Sequence, residues 1–408
     1  MATSGSVALA NEIRALYDAE YYIAGQSHTY WDQFSNVKKV ANGVRGSSLE
    51  WPILESGQPT STALDELSDV VPQAMKVNPV TISIGEYGGA VEVTKFASAV
   101  SYVDIYQQAA EFNGYTMAES VDNIVRAVAG QGSRVFYQNA RTARSAFVGQ
   151  STAADIVTPR FIEYLSVLVA RGLKMPMYDD GSVCTVLHPF VFFDLLQASD
   201  PRSMAIRLAP EILFNGELAY WGGMRIVVSS NAKGFWGAGG TNVAADFQST
   251  LAAPLNPADT NMKITSLATP PLVGQWVAVT DTVETGNTWY DTNELFCVTA
   301  VGTAGSGGTG VDFFALDPGP GDGGGARYAH ATLTTVTNKN SAYPICVMGP
   351  NSVTKYHSDL TGPWGETVVV GPLDRLGRFK TLGWYLLAGW GRTRAGWLPR
   401  GECGSSTS

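Results

Sequence analysis

Thr116-Met-Ala-Glu-Ser-Val-Asp-Asn-Ile-Val-Arg-Ala-Val128 carries the strongest helical signal in the chain. Thr116 and Glu119 fit a capping box, in which a hydroxyl and a carboxylate satisfy the free amides of a helix's first turn. Behind them Val121, Ile124, Val125 and Val128 form one apolar stripe at helical spacing. Two endings are open: an ordinary core helix that stops at Gly130, or an unusually long one that passes Gly130 and Gly132 to reach Tyr137.

Toward the N-terminus, Val77, Val80, Ile82 and Ile84, and then Val91, Val93 and Lys95, run close to period two. Gly85-Glu-Tyr-Gly-Gly89 lies between the two runs and reads as their turn. Residues 49–54, including Trp51, form an earlier extended piece ahead of the polar Gly57-Gln-Pro-Thr-Ser61. The pattern predicts a long ribbon, and a two-stranded ribbon is barely stable alone in water. It needs a surface to lie on. Leu9, Ile13, Leu16 and Tyr17 predict a further helix over 9–24, too short to stand by itself.

Toward the C-terminus, Thr158 and Pro159 open a second helix that ends near Gly172, with Phe161, Ile162, Leu165, Leu168 and Val169 facing inward. A short strand over 182–187 is halted by His188-Pro189, and 191–196 begins another helix. Trp221-Gly-Gly-Met-Arg-Ile-Val-Val228 reads as a turn into a buried strand. Residues 238–340 differ in kind: they are rich in Gly, Thr and Val, strand-like at 275–280 and 295–301, with 302–310 and 317–325 as loops. That composition predicts an all-β insertion of domain size. Beyond it, 344–348, 367–370 and 379–388 are strand-like.

Of the 408 residues only 63 are charged (27 Lys+Arg and 36 Asp+Glu), or 15%, against about 25% in an ordinary soluble domain. The chain is too long for one comfortable core, and its sparse charge implies surface hidden against copies of itself. The net charge of -9 argues against a dedicated nucleic-acid binder, which would present a basic face to phosphates. Residues 238–340 hold nine acidic and three basic residues, a net of -6, which leaves -3 for the rest. Cys184, Cys297, Cys346 and Cys403 lie far apart and form neither a disulfide framework nor a zinc pattern. No signal peptide and no membrane-length apolar run is present, so a soluble cytosolic product is expected.

Catalytic signals are weak throughout. His28, His188, His330 and His357 lack the i, i+4 partner of a helical metal site, and His188 before Pro189 reads as a capping or buried hydrogen-bonding residue. Gly302-Thr-Ala-Gly-Ser-Gly-Gly308 has no following Lys or helix, so it is a surface loop rather than a phosphate cradle. No G-x-S-x-G elbow occurs. Asp281, Glu284, Asp291 and Glu294 could form a paired-carboxylate or calcium site, but a solvated acidic face is the simpler reading. The Arg-rich end favours ion pairs between subunits, Arg being suited to bidentate grip of carboxylates, with nucleic-acid contact as a lesser alternative. The residues therefore predict no catalytic, cofactor or metal site.

The order of elements resembles the major capsid proteins of tailed bacteriophages with the Hong Kong 97 fold, and more narrowly the enquatrovirus-type (N-four-like) capsid family. The residues that carry the resemblance are Tyr115-Thr-Met-Ala-Glu-Ser-Val-Asp122, Val186-Leu-His-Pro189 with Asp194-Leu195, and Phe214-Asn-Gly-Glu217 with Gly222-Gly-Met-Arg-Ile-Val227. Leu376-Gly-Arg, Leu382-Gly-Trp384 and Gly391-Arg-Thr-Arg394 complete it. The match spans roughly 11–233 and 341–402. The resemblance implies an α+β capsid fold with an N-terminal arm (1–45), an extended loop (46–95), a peripheral domain with its spine helix (96–157) and an axial domain (158–237). An inserted β-rich domain (238–340), an axial return (341–365) and a peripheral return with the C-terminus (366–408) would follow.

The resemblance implies a structural protein, not an enzyme, with no cofactor. It would assemble as hexamers and pentamers into an icosahedral shell around double-stranded DNA, which it would touch only non-specifically. Its partners would be copies of itself, a scaffolding protein, a portal and a decoration protein, with no membrane. It would reside in the virion after assembly in the host cytoplasm. Candidate subunit-interface residues are Trp51, Lys76, Glu86, Tyr87, Lys95, Arg375, Arg378, Arg392 and Arg394. Some shells of this fold are crosslinked between Lys and Asn, but nothing around Lys76 or Lys95 marks a reactive group, so no crosslink is expected. Another virion component (tail tube or decoration protein) is the second reading, and a carbohydrate-active enzyme the third.

Overall fold

The computed structural model describes residue 21 and residues 29–40, 48–54, 57, 59–61, 63, 72–102, 104–148, 155–198, 217–240, 247–265, 270–281, 292–305, 308–319, 324–358, 361–370 and 378–407. The helix expected over 9–24 lies outside these residues apart from Tyr21, as does Arg375. The chain divides into two compact units, 1–128 with 351–394 and 129–350 with 395–408. Thus 351–365, expected with the axial return, belongs to the first unit, and 395–408, expected with the peripheral return, to the second.

The first unit is organised around one long strand. Five strands build its main sheet: β1 (Ser35–Val40), β4 (Gly85–Thr94), β16 (Val353–Ser358), β17 (Glu366–Val370) and β18 (Phe379–Arg392). On one edge β18 pairs with β4; on the other it pairs first with β17 and then with β16, which holds β1 in parallel. Leu382, Trp384, Leu386, Ala388 and Trp390 are all buried, the period of two that places alternate residues on one face of a sheet. Leu382 and Val93 join Ala109 and Ala110 of a helix in one apolar cluster.

That helix is α2 (Ile105–Gly130), preceded by the short α1 (Lys95–Val100). At 26 residues α2 is about 39 Å long. It begins eleven residues before the expected cap: Asp104 accepts from the amides of Tyr106 (3.0 Å) and Gln107 (3.4 Å). Thr116 instead lies mid-helix, its hydroxyl donating back to Phe112 O at 2.8 Å, the alternative to capping that a helical Thr adopts. The helix stops at Gly130, the shorter of the two endings, and Val135–Tyr137 is a strand, β5. Small side chains extend the buried face N-terminally through Ala109, Ala110, Asn113, Met117 and Ala118 to Val121 and Val125, while Ile124 and Val128 are half-buried.

The expected hairpin turn at Gly85–Gly89 is not a turn. Residues 85–94 are strand β4, and they pair with β18 rather than with 77–83. The glycines answer a packing demand. Gly89 stands opposite Trp384, and a Cβ there would lie 2.9 Å from the indole Nε1; at Gly88 it would lie 2.9 Å from Trp384 O. The true partner of β3 (Val77–Ser83) is the earlier β2 (Ser48–Leu54), in an antiparallel ribbon from Ser48↔Ser83 to Leu54↔Val77.

The second unit holds two six-stranded sheets. One has the order β5-β19-β15-β6-β8-β7, from β6 (Val183–Leu187), β7 (Glu217–Trp221), β8 (Met224–Val228), β15 (Tyr343–Met348) and β19 (Arg400–Cys403). Helices α3 (Pro159–Val167, continued by a wider turn over Leu168–Gly172) and α4 (Pro189–Gln197) supply Phe161, Ile162, Leu165, Val169, Val191 and Leu195 to its core. The local signals here act as read. Thr158 accepts from Phe161 N at 3.3 Å, and Gly222 and Gly223 take positive φ (54° and 83°) in the tight β7–β8 turn, which L side chains resist.

The other sheet, β10-β13-β12-β11-β14-β9, is antiparallel throughout. Its strands are β9 (Gln248–Thr250), β10 (Asn261–Ile264), β11 (Trp276–Thr280), β12 (Glu294–Gly305), β13 (Gly308–Ala315) and β14 (Thr335–Thr337). It encloses its own apolar cluster, including Leu251, Met262, Val277, Phe296, Val311 and Val336. Residues 302–305 and 308–310, expected as a loop, are the paired ends of β12 and β13. The two ends of this segment meet: Gly239 N donates to Asn340 O (2.7 Å), and Phe235 and Ala342 exchange backbone bonds of 2.8 and 3.1 Å.

Candidate assembly surfaces

The ribbon β2–β3 is attached to the first unit near one end. Ile82, 2% exposed, lies over Gly389 and Gly391 of β18; a Cβ on Gly391 would come within 2.4 Å of Ile82 Cγ1. Arg394 donates to Leu54 O at 2.5 Å. Most of β3 is otherwise exposed, as are Leu54, Met75 and Val77. An exposed apolar ribbon is a ready site for pairing or packing with another chain. A second exposed apolar group lies on α1 and the first half of α2: Phe96, Val100, Tyr102, Phe112 and Tyr115.

The residues expected at an interface are scattered. Trp51 pairs through its backbone with Val80 in the ribbon, and Lys76 is exposed just before β3. Glu86 is exposed on β4 and hydrogen-bonds the Tyr385 hydroxyl, whose pKa is raised by burial first and then by the charge of Glu86. Tyr87 is half-buried and packs edge-on against Trp390, ring centroids 5.7 Å apart. Lys95 and Arg378 are exposed and adjacent, Lys95 N donating to Arg378 O at 2.7 Å, with the Arg378 guanidinium 5.3 Å from the Phe379 ring. Arg392 is half-buried at the end of β18. Of these residues Lys95 and Arg378 are joined directly, and Arg394 reaches the ribbon at Leu54.

What the sequence does not disclose is a set of buried ionic contacts inside each unit. In the first, Lys355 Nζ pairs with Asp32 Oδ2, their side chains 1% and 3% exposed, and Trp390 Nε1 donates to Asp32 Oδ1 at 3.1 Å. The ammonium lies 5.1 Å from the Trp364 ring and 5.4 Å from that of Trp390. Asp122 of α2 accepts from the amides of Tyr30 (2.9 Å) and Trp31 (3.0 Å). Burial nonetheless dominates its ionisation and raises its pKa to about 7. Residues 29–34 are thus clamped to α2 and β16.

In the second unit Glu402 lies between two guanidiniums. Arg144 grips it bidentately (2.8 and 2.9 Å), and Arg400 Nε approaches to 2.8 Å. Arg400 is 2% exposed and pairs within its own chain. Arg141 similarly holds Asp155 through two bonds of 2.9 and 3.0 Å. Burial alone would raise the Asp155 pKa; the bonds from Arg141, Val148 N and Asn139 outweigh it and lower it.

The histidines and carboxylates form no catalytic constellation among the described residues. His188 caps α4, its Nδ1 accepting from Phe190 N at 3.2 Å, and complete burial lowers its pKa to about 3. His357 lies 3.2 Å from Ser358 O. Of the expected solvated acidic face, Asp281 is exposed but Glu294 is buried, and both carboxylates turn onto His330. Glu284 and Asp291 lie outside the described residues. Cys184, Cys346 and Cys403 are buried thiols and Cys297 is half-buried. Among the described residues no group of metal-ligating side chains is assembled, and no helix is long and apolar enough to cross a membrane.

No protein-family model matches this sequence, and no curated protein is similar to it. Solved structures are similar. A chain of the capsid of Ralstonia phage GP4 superimposes with a TM-score of 0.54 over 92% of this chain and 91% of its own, at 9% identity. The chain shares its fold with a phage capsid chain. Looser likenesses, at TM-scores of 0.49, are to chains of the capsids of cyanophage P-SCSP1u (13% identity, 93% and 89% covered) and cyanophage Pam1 (12%, 92% and 90%). The likeness takes in almost the whole of both this chain and the Ralstonia phage GP4 chain rather than one short module.

Proposed function

We propose that this chain is the major capsid protein of a tailed bacteriophage, built on the Hong Kong 97 fold and assembling as hexamers and pentamers into a shell around DNA. The observation that carries the proposal is the end-to-end sharing of a fold with a phage capsid chain. Such likeness alone speaks to fold, not function. The ribbon adds a reason for assembly: a two-stranded sheet with exposed apolar residues, attached to its own unit mainly through Ile82 and Arg394, gains burial from a neighbour.

In this reading the ribbon is the part of the 46–95 loop that reaches an adjacent subunit, while 85–94 stays in the peripheral sheet. Helix α2 is the spine, and 158–237 forms most of the axial domain. Residues 238–340, whose ends meet and whose sheet has its own core, are an inserted domain. Trp51, Lys76, Glu86, Tyr87, Lys95, Arg375, Arg378, Arg392 and Arg394 remain candidates for contacts between subunits. The protein acts by packing and not by catalysis, with scaffold, portal and decoration proteins as partners, in the virion after assembly in the host cytoplasm. A tail-tube or decoration protein is disfavoured by the 26-residue α2, since those are dominated by β-structure.

The test is electron microscopy and sedimentation of the expressed full chain with the phage scaffold. Closed shells are expected. A compact monomer that persists at high concentration with scaffold present refutes the proposal.

A further inference from the structure

His330 occupies an environment for which the capsid reading has no use. Its side chain is fully buried, and each ring nitrogen faces a carboxylate: Nδ1 is 2.8 Å from Asp281 Oδ2, and Nε2 is 2.7 Å from Glu294 Oε2. An ionised carboxylate only accepts, and a neutral imidazole has a single N–H to give. Two such contacts at once require both ring nitrogens to donate. The carboxylates are themselves held as acceptors. Asp281 receives the hydroxyls of Thr292 (2.6 Å) and Thr334 (2.9 Å); Glu294 receives the amides of Arg327 (2.8 Å) and Tyr328 (3.1 Å). The Arg327 guanidinium is turned to Asp317 at 2.6 Å.

The three side chains come from three separate places. Asp281 follows β11, Glu294 opens β12, and His330 lies in the crossing that leads to β14, where it bridges to Leu255. We propose that His330 is a proton-operated clasp, an imidazolium that ties the β11 and β12 ends to the 327–334 crossing and lets them part when alkaline pH removes its proton. The proposal stands apart from the capsid reading, since it concerns the cohesion of this sheet whatever the chain assembles into.

The direction of the pH effect follows from the surroundings. Burial alone would lower the His330 pKa; the bond to Glu294 and the charges of Asp281 and Glu294 outweigh it and raise the pKa above 6.5. A group raised in the fold contributes fully below its unfolded value, and that contribution is lost as pH rises through the folded value. At the acid end the same clasp fails through Asp281. Burial would raise that carboxyl, but bonds from Thr292 and Thr334 and the His330 charge hold it below its ordinary value.

The experiment is long-range nitrogen–proton correlation on the full chain carrying 15N-histidine, with amide hydrogen exchange followed across pH. Both His330 nitrogens should carry protons at about pH 6, below the ring's ordinary value, and protection in 292–294 and 327–334, corrected for intrinsic exchange, should fall as the ring titrates above 6.5. H330Q should be less protected at that acid pH and lose the alkaline dependence. E294Q should shift the ring's titration downward, a readout available if H330Q does not fold. A His330 ring singly protonated already at about pH 6, an unmoved titration in E294Q, or an H330Q profile matching wild type would overturn the proposal.

Discussion

Replacing Lys355 by Met removes a charge from the interior while keeping most of its stem. The side chains of Lys355 and Asp32 are 1% and 3% exposed, so the carboxylate left behind cannot turn to water. It would retain one donor, Trp390 Nε1 at 3.1 Å. Breaking a buried pair from one side costs about 3–5 kcal/mol, because an uncompensated charge stays inside. Each ~1.4 kcal/mol is tenfold in an equilibrium constant, so unfolding should become roughly a hundredfold to a few thousandfold more favourable. The Met side chain still packs beside Trp364 and Trp390, which makes the loss electrostatic in origin. Adding Asp32→Asn removes the orphaned charge, and the double variant should be more stable than the sum of the single losses by about 1–3 kcal/mol. Urea unfolding of the unassembled chain, followed by tryptophan fluorescence, reads this directly, since the rings of Trp364 and Trp390 lie 5.1 and 5.4 Å from the ammonium. A K355M variant within about 1 kcal/mol of wild type would refute the reasoning, as would a double variant as weak as the summed singles.

Gly89→Val should destabilise the first unit by about 1–3 kcal/mol through overpacking against Trp384, and thermal unfolding checks it; an unchanged midpoint would mean that the indole moves aside freely. Asp122, raised to about 7 by burial, binds a proton more tightly folded than unfolded, so its contribution is lost as pH rises from about 4 through 7. D122N should therefore melt with a smaller difference between pH 5 and pH 8 than wild type does. Deleting 241–339 should leave a body that folds, judged by circular dichroism, yet assembles poorly under the microscope. Failure to fold would make that segment part of the core.

Features that depend on neighbours in sequence were legible. Thr158-Pro159 opens α3, His188-Pro189 ends β6 and caps α4, Gly222-Gly223 turns β7 into β8, and the alternation of β18 marks a half-buried strand. The failures share a cause as well. Thr116 and Glu119 satisfy a capping pattern, but tertiary packing of Ala109, Ala110 and Asn113 carries the helix back past them to Asp104. Gly85–Gly89 resembles a turn because glycine serves turns and close packing alike, and only the presence of Trp384 across the ladder decides between them. The Asp32–Lys355 pair spans 323 residues, and no local pattern announces it. The candidate interface was legible only as a ribbon that lacked support. Which of its charged residues stay at the surface was not: Lys95 and Arg378 are exposed, whereas Arg392 is half-buried.

Strand β18 imposes an order on the making of this protein. It is the piece that β4, β16 and β17 all hold, with β1 attached through β16, yet it is next to last among the strands to leave the ribosome. Until residues 379–388 are available, β4 has no partner to close on, and β1 waits for β16 at 353–358, although both were synthesised hundreds of residues earlier. Closure across such distances is slow. The apolar face that β4 and α2 share with Leu382 therefore stays uncovered while everything between is made, and unpaired strands of that kind are what growing chains tangle through.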